Sequence, residues 1–140
     1  MYIKLVNNVP EPYSIRQFRL DNSNVSYPKE IPDHYLNEQD VYSYTEDTRP
    51  EYDALIQSLD FSFEERDSSW YKTYTVVNLP QEKAESNIRS MRDSLLQETD
   101  WMALSDNTLT QPWADYRQAL RDITDQETFP YSVTWPTKPV

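Results

Sequence analysis

Trp70-Tyr71-Lys72-Thr73-Tyr74-Thr75-Val76-Val77-Asn78-Leu79-Pro80-Gln81-Glu82-Lys83-Ala84-Glu85-Ser86-Asn87-Ile88-Arg89-Ser90-Met91 is the stretch in which the chain changes its period. Up to Val77 the residues alternate. Trp70, Lys72, Tyr74 and Val76 fall on one face, and Tyr71, Thr73, Thr75 and Val77 on the other, which predicts a strand. After Pro80, which suits the start of a helix, the apolar residues Ala84, Ile88, Met91 and Leu95 recur at spacings of four, three and four. That predicts an amphipathic helix over 81–98. The switch near Leu79–Pro80 divides the sequence into a β-rich part, 1–79, and a helical part, 80–140.

Before the switch the elements are short. Met1–Val6 alternates and predicts a first strand. Ser14-Ile15-Arg16-Gln17 has the pattern of a capping box and predicts a short helix through about Leu20. Asp21-Asn22-Ser23-Asn24 stops it, because these side chains compete for backbone hydrogen bonds. Val25–Tyr27 reads as an extended stub before Pro28, Ile31–Asn37 as one helical turn, and Val41–Thr45 as a strand. Glu51–Leu59 fits strand and helix equally. The chain contains no Gly, so a tight hairpin that needs positive φ must use Asn or Asp, or give way to a longer loop.

After the first long helix, 100–109 reads as a connector. Thr110 is a fair N-cap, with Pro112 tolerated in the first turn. Trp113, Tyr116, Leu120 and Ile123 recur at helical spacing, which predicts a second helix and an antiparallel pair. Phe129, Tyr131, Val133 and Trp135 alternate, but Pro130 and Pro136 among them predict an extended segment that cannot be a central strand. The fold class expected is therefore α+β: a small β-rich amino-terminal part with a short helix, then an α-helical hairpin and a carboxy-terminal extended segment.

Composition narrows the function. The chain has 140 residues, 13 Lys+Arg against 24 Asp+Glu, and a net charge of −11. Such a charge repels a phosphate backbone, so nucleic acid is not an expected partner. No apolar run reaches the ~20 residues that cross a bilayer, and the amino terminus lacks the apolar core of a secretion signal. The acidity is spread over both parts and favours solubility. There is no Cys, which removes thiolate chemistry and disulfides. Without Gly a P-loop or dinucleotide fingerprint cannot form. No cofactor and no metal is expected.

A catalytic constellation is also missing from the sequence. His34 is the single His, and no motif surrounds it. The acid pairs Glu46-Asp47 and Glu64-Glu65 stand in polar stretches and read as solvated loops. The aromatic content is the stronger signal, with 11 Tyr, 4 Trp and 4 Phe. Tyr, Trp and Arg are enriched in interface cores. Trp70, Tyr71, Tyr74, Trp113, Arg117, Arg121, Tyr131 and Trp135 are the candidate partner-binding residues. Arg117 and Arg121 lie one turn apart beside the Trp113/Tyr116 stripe. They either fork onto a partner or lock the helices through Asp93, Glu98 or Asp122.

Four blocks carry a resemblance. They are Arg92-Asp93-Ser94-Leu95-Leu96, Asp100-Trp101, Trp113-Ala114-Asp115-Tyr116-Arg117-Gln118-Ala119-Leu120-Arg121-Asp122, and Phe129-Pro130 with Val133-Thr134-Trp135-Pro136. In this order they resemble the phage tail assembly chaperone family over roughly 85–137. Tyr13–Asn22, Asn24–Pro28, Val41-Tyr42, Arg49–Asp53 and Trp70 are similar to segments that accompany that domain. Gln39 and Asp40 stand where such relatives place Gly before the Val41-Tyr42 step.

The resemblance implies a non-enzymatic protein that acts in the host cytoplasm on a phage tail-fibre protein, itself trimeric and β-rich, and helps it mature or attach, with baseplate proteins as further partners. Retention in the virion as a connector or cap is the alternative fate. Trp70–Val77 and Phe129–Trp135 are the strands expected to pair with the fibre by β-augmentation.

Overall fold

The structure, a computed structural model, describes residues 1–104 and 107–140. Among the described residues five strands and four α-helices follow in the order β1 (Tyr2–Val6), β2 (Val9–Tyr13), α1 (Ile15–Asp21), α2 (Asp33–Asn37), β3 (Val41–Glu46), β4 (Gln57–Arg66), β5 (Ser69–Asn78), α3 (Gln81–Gln97) and α4 (Gln111–Arg121). Single 3-10 turns cover Asp100–Ala103 and Asp122–Asp125. The strands form one mixed sheet in the order β2-β1-β3-β5-β4. β1 pairs antiparallel with β2 and β3, and β3 pairs parallel with β5.

This corrects the expected fold class. The chain is not a small β-rich part with a short helix followed by an α-helical hairpin and an extended carboxy-terminal segment. It is a five-stranded mixed sheet with four helices, and α3 stands mid-chain. Two strands were hidden in the sequence. β2 reads Val9-Pro10-Glu11-Pro12-Tyr13, and its prolines look like breakers. They are tolerated because β2 ends the sheet. β4 holds its alternating Leu59, Phe61 and Phe63 among acids, so no strand was expected beyond Leu59.

The tail differs too. Phe129–Tyr131 lies in a turn with a cis Phe129–Pro130 bond. The Gln126 side chain closes it by donating to Thr134 O at 3.0 Å and accepting from Thr134 N at 2.7 Å. Part of the connector expected at 100–109 lies outside the described residues.

The other elements follow from local chemistry. Ser14 caps α1 by accepting the Gln17 N–H at 3.1 Å, and Asn22 ends it by donating to Phe18 O at 2.9 Å. The turns solve the glycine problem as expected. Asn7 and Asn8 take positive φ between β1 and β2, Asp67 does so between β4 and β5, and Asp40 does so just before β3. Ser68 joins Asp67 there, a residue type the sequence did not single out.

The chain divides into two compact units, 1–50 with 60–75, and 51–59 with 76–140. In the first, Phe18, Ile31, Leu36 and Val41 form a buried cluster flanked by Tyr2, Tyr13, Ile15 and Tyr27. Phe18 meets Tyr27 edge-to-face at 5.1 Å. Arg19 fastens the loop above by donating to the carbonyls of Pro28 (2.6 Å) and Lys29 (3.0 Å). Tyr13, whose hydroxyl donates to Asp21, is pushed up to about 12 by burial and by that carboxylate. In the second unit Ala84 and Ile88 of α3, Tyr116 and Leu120 of α4, and Ile123 are buried. Met91, expected in the apolar stripe of α3, is 43% exposed and lines a shallow groove with Ala54 and Leu55.

Candidate functional site

In the first unit the sheet gives its two faces opposite characters. Pairing sets Tyr44 beside Trp70 and Glu46 beside Lys72. With period-two alternation, Tyr42, Tyr44 and Glu46 of β3 share a face with Trp70, Lys72 and Tyr74 of β5. Phe61 and Phe63 of β4 join them. Tyr44 and Phe63 meet edge-to-face at 4.9 Å, Phe61 and Phe63 at 5.8 Å, and Tyr42 lies 6.3 Å from Trp70. None of these six rings is buried, and Phe61 is 47% exposed.

A small charged group lies within this aromatic face. Lys72 Nζ stands 4.4 Å from the Phe61 ring centre and 3.8 Å from Glu46. The Tyr74 hydroxyl donates to Glu46 at 2.7 Å, and Arg49 stacks over the Tyr74 ring at 5.2 Å. The Tyr74 hydrogen bond, aided by Lys72 and Arg49, holds the Glu46 carboxyl below its ordinary 4.5. A carboxylate with a depressed folded-state value contributes stability above pH 4.5, and that contribution is lost as pH falls through the depressed value. Tyr74→Phe is therefore expected to move the Glu46 titration, followed by carboxyl NMR, upward towards 4.5. An unmoved titration would show that the hydroxyl does not set it.

The opposite face is polar. Arg66 bridges Asp47 and Glu64, each at 2.8 Å, and stacks over Tyr71 at 5.0 Å. Ser62 and Thr73 share a hydroxyl hydrogen bond at 2.8 Å. Trp70 and Tyr74 thus stand together on the aromatic face, with Tyr71 behind them.

The other candidates belong to the second unit. Trp113 is half-buried and meets Tyr116 edge-to-face at 5.9 Å. With Trp101, Met102 and Leu109 it lines a groove of about 190 Å³, in which Trp101 is 57% exposed.

Arg117 is 6% exposed. It donates to Leu96 O at 2.9 Å and to the Thr99 hydroxyl, and pairs with Asp100 at 2.8 Å. It therefore satisfies the carboxy-terminal end of α3, which has no basic residue of its own in its last turn. Arg121 is exposed at the end of α4. Tyr131 is half-buried and donates to Leu79 O at 2.7 Å, and Trp135 is half-buried.

Tyr42, Tyr44, Phe61, Phe63 and Trp101 were not among the sequence candidates. For Phe61 and Phe63 the usable signal was their alternation with Leu59.

His34 is exposed and packs on Tyr35 at 4.1 Å. Glu46 and Asp47 are engaged by Lys72, Arg49 and Arg66. Among the described residues no three His, Asp or Glu side chains are grouped to hold a metal ion, and no helix is long and apolar enough to cross a membrane. No curated protein and no solved structure matches the chain. Residues 85–140 match the family model described as phage tail assembly chaperone protein.

Proposed function

We propose that the protein is a non-enzymatic assembly factor for the phage tail fibre. It binds the tail-fibre polypeptide in the host cytoplasm and assists its folding, trimerisation or attachment. The match of residues 85–140 to the tail assembly chaperone model supports a role in tail assembly. The observation that carries the finer reading is the open aromatic face of β3, β5 and β4, six rings on one side of a sheet with none buried. Contiguous apolar surface of this kind marks interaction sites in soluble proteins. A β-rich fibre chain exposes apolar faces and unpaired strands until it trimerises, and these aggregate unless covered. The Trp101–Trp113 groove and the exposed Arg121 offer a second contact region on the family-matched part.

The test is co-expression of the fibre gene with and without this chain. More soluble fibre trimer is expected in its presence, and equal trimer in both cases defeats the proposal. Mass spectrometry of purified particles then separates release after assembly from retention in the virion.

A further inference from the structure

The two edges of the sheet are built differently. β2, at one edge, pairs Val6 with Val9 across the two-residue turn, so Glu11 and Tyr13 turn their N–H groups towards β1. Pro10 and Pro12 then occupy the outward positions and offer no donor. That edge is closed to further pairing, a recognised protection against aggregation.

β4, at the other edge, contains no Pro. Its pairing with β5 is fixed by the two-residue turn Asp67-Ser68, the Ser62–Thr73 contact and the Leu79 N–H to Ile56 O bond at 2.8 Å. By the antiparallel alternation Ser62, Glu64 and Arg66 exchange hydrogen bonds with β5, and Phe61, Phe63 and Glu65 turn theirs outward. The Asp60 side chain accepts the Phe61 N–H at 2.8 Å. In the free chain it fills the place of a neighbouring carbonyl.

We propose that the β4 edge from Asp60 to Arg66 receives an extended segment of the tail-fibre polypeptide as a sixth strand, one that alternates apolar and basic residues. This rests on the fibre-binding reading above. The occupant follows from the two sides of β4. Its apolar side chains would pack beside Phe61 and Phe63 on the aromatic face, and its Lys or Arg would stand beside Asp60 and Glu64 on the polar face. The net charge of −11 attracts such a segment. Backbone hydrogen bonds supply affinity, and the alternating side chains supply specificity.

The experiment compares Phe61→Pro with Phe61→Ala in the full chain, using co-purification with the co-expressed fibre protein. Both lose the ring, but only Pro removes the outward N–H, as Pro10 and Pro12 do in β2. The expected result is fibre binding weaker by about tenfold or more for the Pro variant than for the Ala variant, with equal unfolding midpoints. Equal binding by both overturns the edge proposal while the fibre reading stands. Absence of fibre binding by the unsubstituted chain overturns both.

Hydrogen exchange on the unsubstituted complex decides the matter if the Pro variant fails to fold. Protection of the Phe61, Phe63 and Glu65 amides is expected, and no change defeats the proposal. The same protection arising from self-association of this chain alone would make a second copy the occupant and overturn it as well.

Discussion

Arg117→Ala is expected to lower the stability of the protein by about 1.5–3 kcal/mol, the range for hydrogen bonds made by a charged group, because Arg117 is buried while its partner Asp100 is exposed. The guanidinium reaches three acceptors that one element could not supply for itself: Leu96 O at the end of α3, the Thr99 hydroxyl and the Asp100 carboxylate. Truncation leaves the carbonyl with the Thr99 backbone N–H and hydroxyl, each donating at 3.0 Å, takes the guanidinium from the Thr99 hydroxyl, and opens a void beside Thr99, which is 1% exposed. Arg117→Lys should recover little of the loss, because an ammonium on a flexible stem does not reproduce the planar fork. A urea titration of the three proteins measures this. A midpoint for Arg117→Ala equal to that of the unsubstituted chain would show that Arg117 has no part in holding α3 to α4.

Phe18→Ala is expected to cost about 3–5 kcal/mol, the usual range for removing a fully buried ring. Phe18 is 0% exposed, lies at the centre of the cluster with Ile31, Leu36 and Val41, and meets Tyr27 edge-to-face. Against a total stability of about 5–15 kcal/mol for a domain, the loss is a large fraction. Phe18→Leu keeps more of the volume and should cost less. Denaturant midpoints for both variants test the ordering, and a neutral Phe18→Ala would remove this ring from the core.

Both residues show what the sequence discloses and what it withholds. The strand at Trp70–Val77 and the helix after Pro80 were legible because a period of two and a period of 3.6 are local properties. The Ser14 cap was legible for the same reason, since its acceptor and the Gln17 donor are three residues apart. β2 was not legible, because Pro10 and Pro12 are acceptable only where no further strand is added, and neighbours are a property of the whole sheet. β4 was missed because Asp60, Glu64 and Glu65 mask the alternation of Phe61 and Phe63.

The candidate site was read unevenly for a similar reason. Aromatic richness pointed to Trp70 and Tyr74, but the face they form also needs Tyr42, Tyr44, Phe61 and Phe63, which only pairing brings alongside. The partners of Arg117 stand 17 to 21 residues away, and no spacing rule nominates Leu96 O or Thr99. Gln126, which closes the turn around Pro130, gave no signal at all.

The five left-handed positions among the described residues, Asn7, Asn8, Asp40, Asp67 and Ser68, bear on the unfolded chain as much as on the folded one. A sequence without glycine samples fewer backbone conformers when unfolded and loses less entropy on folding, a gain that positions of positive φ offset by the steric cost of a Cβ, least for Asn and Asp. Side chains that visit this region at modest cost therefore let a protein with a lean apolar interior begin folding from a narrower ensemble.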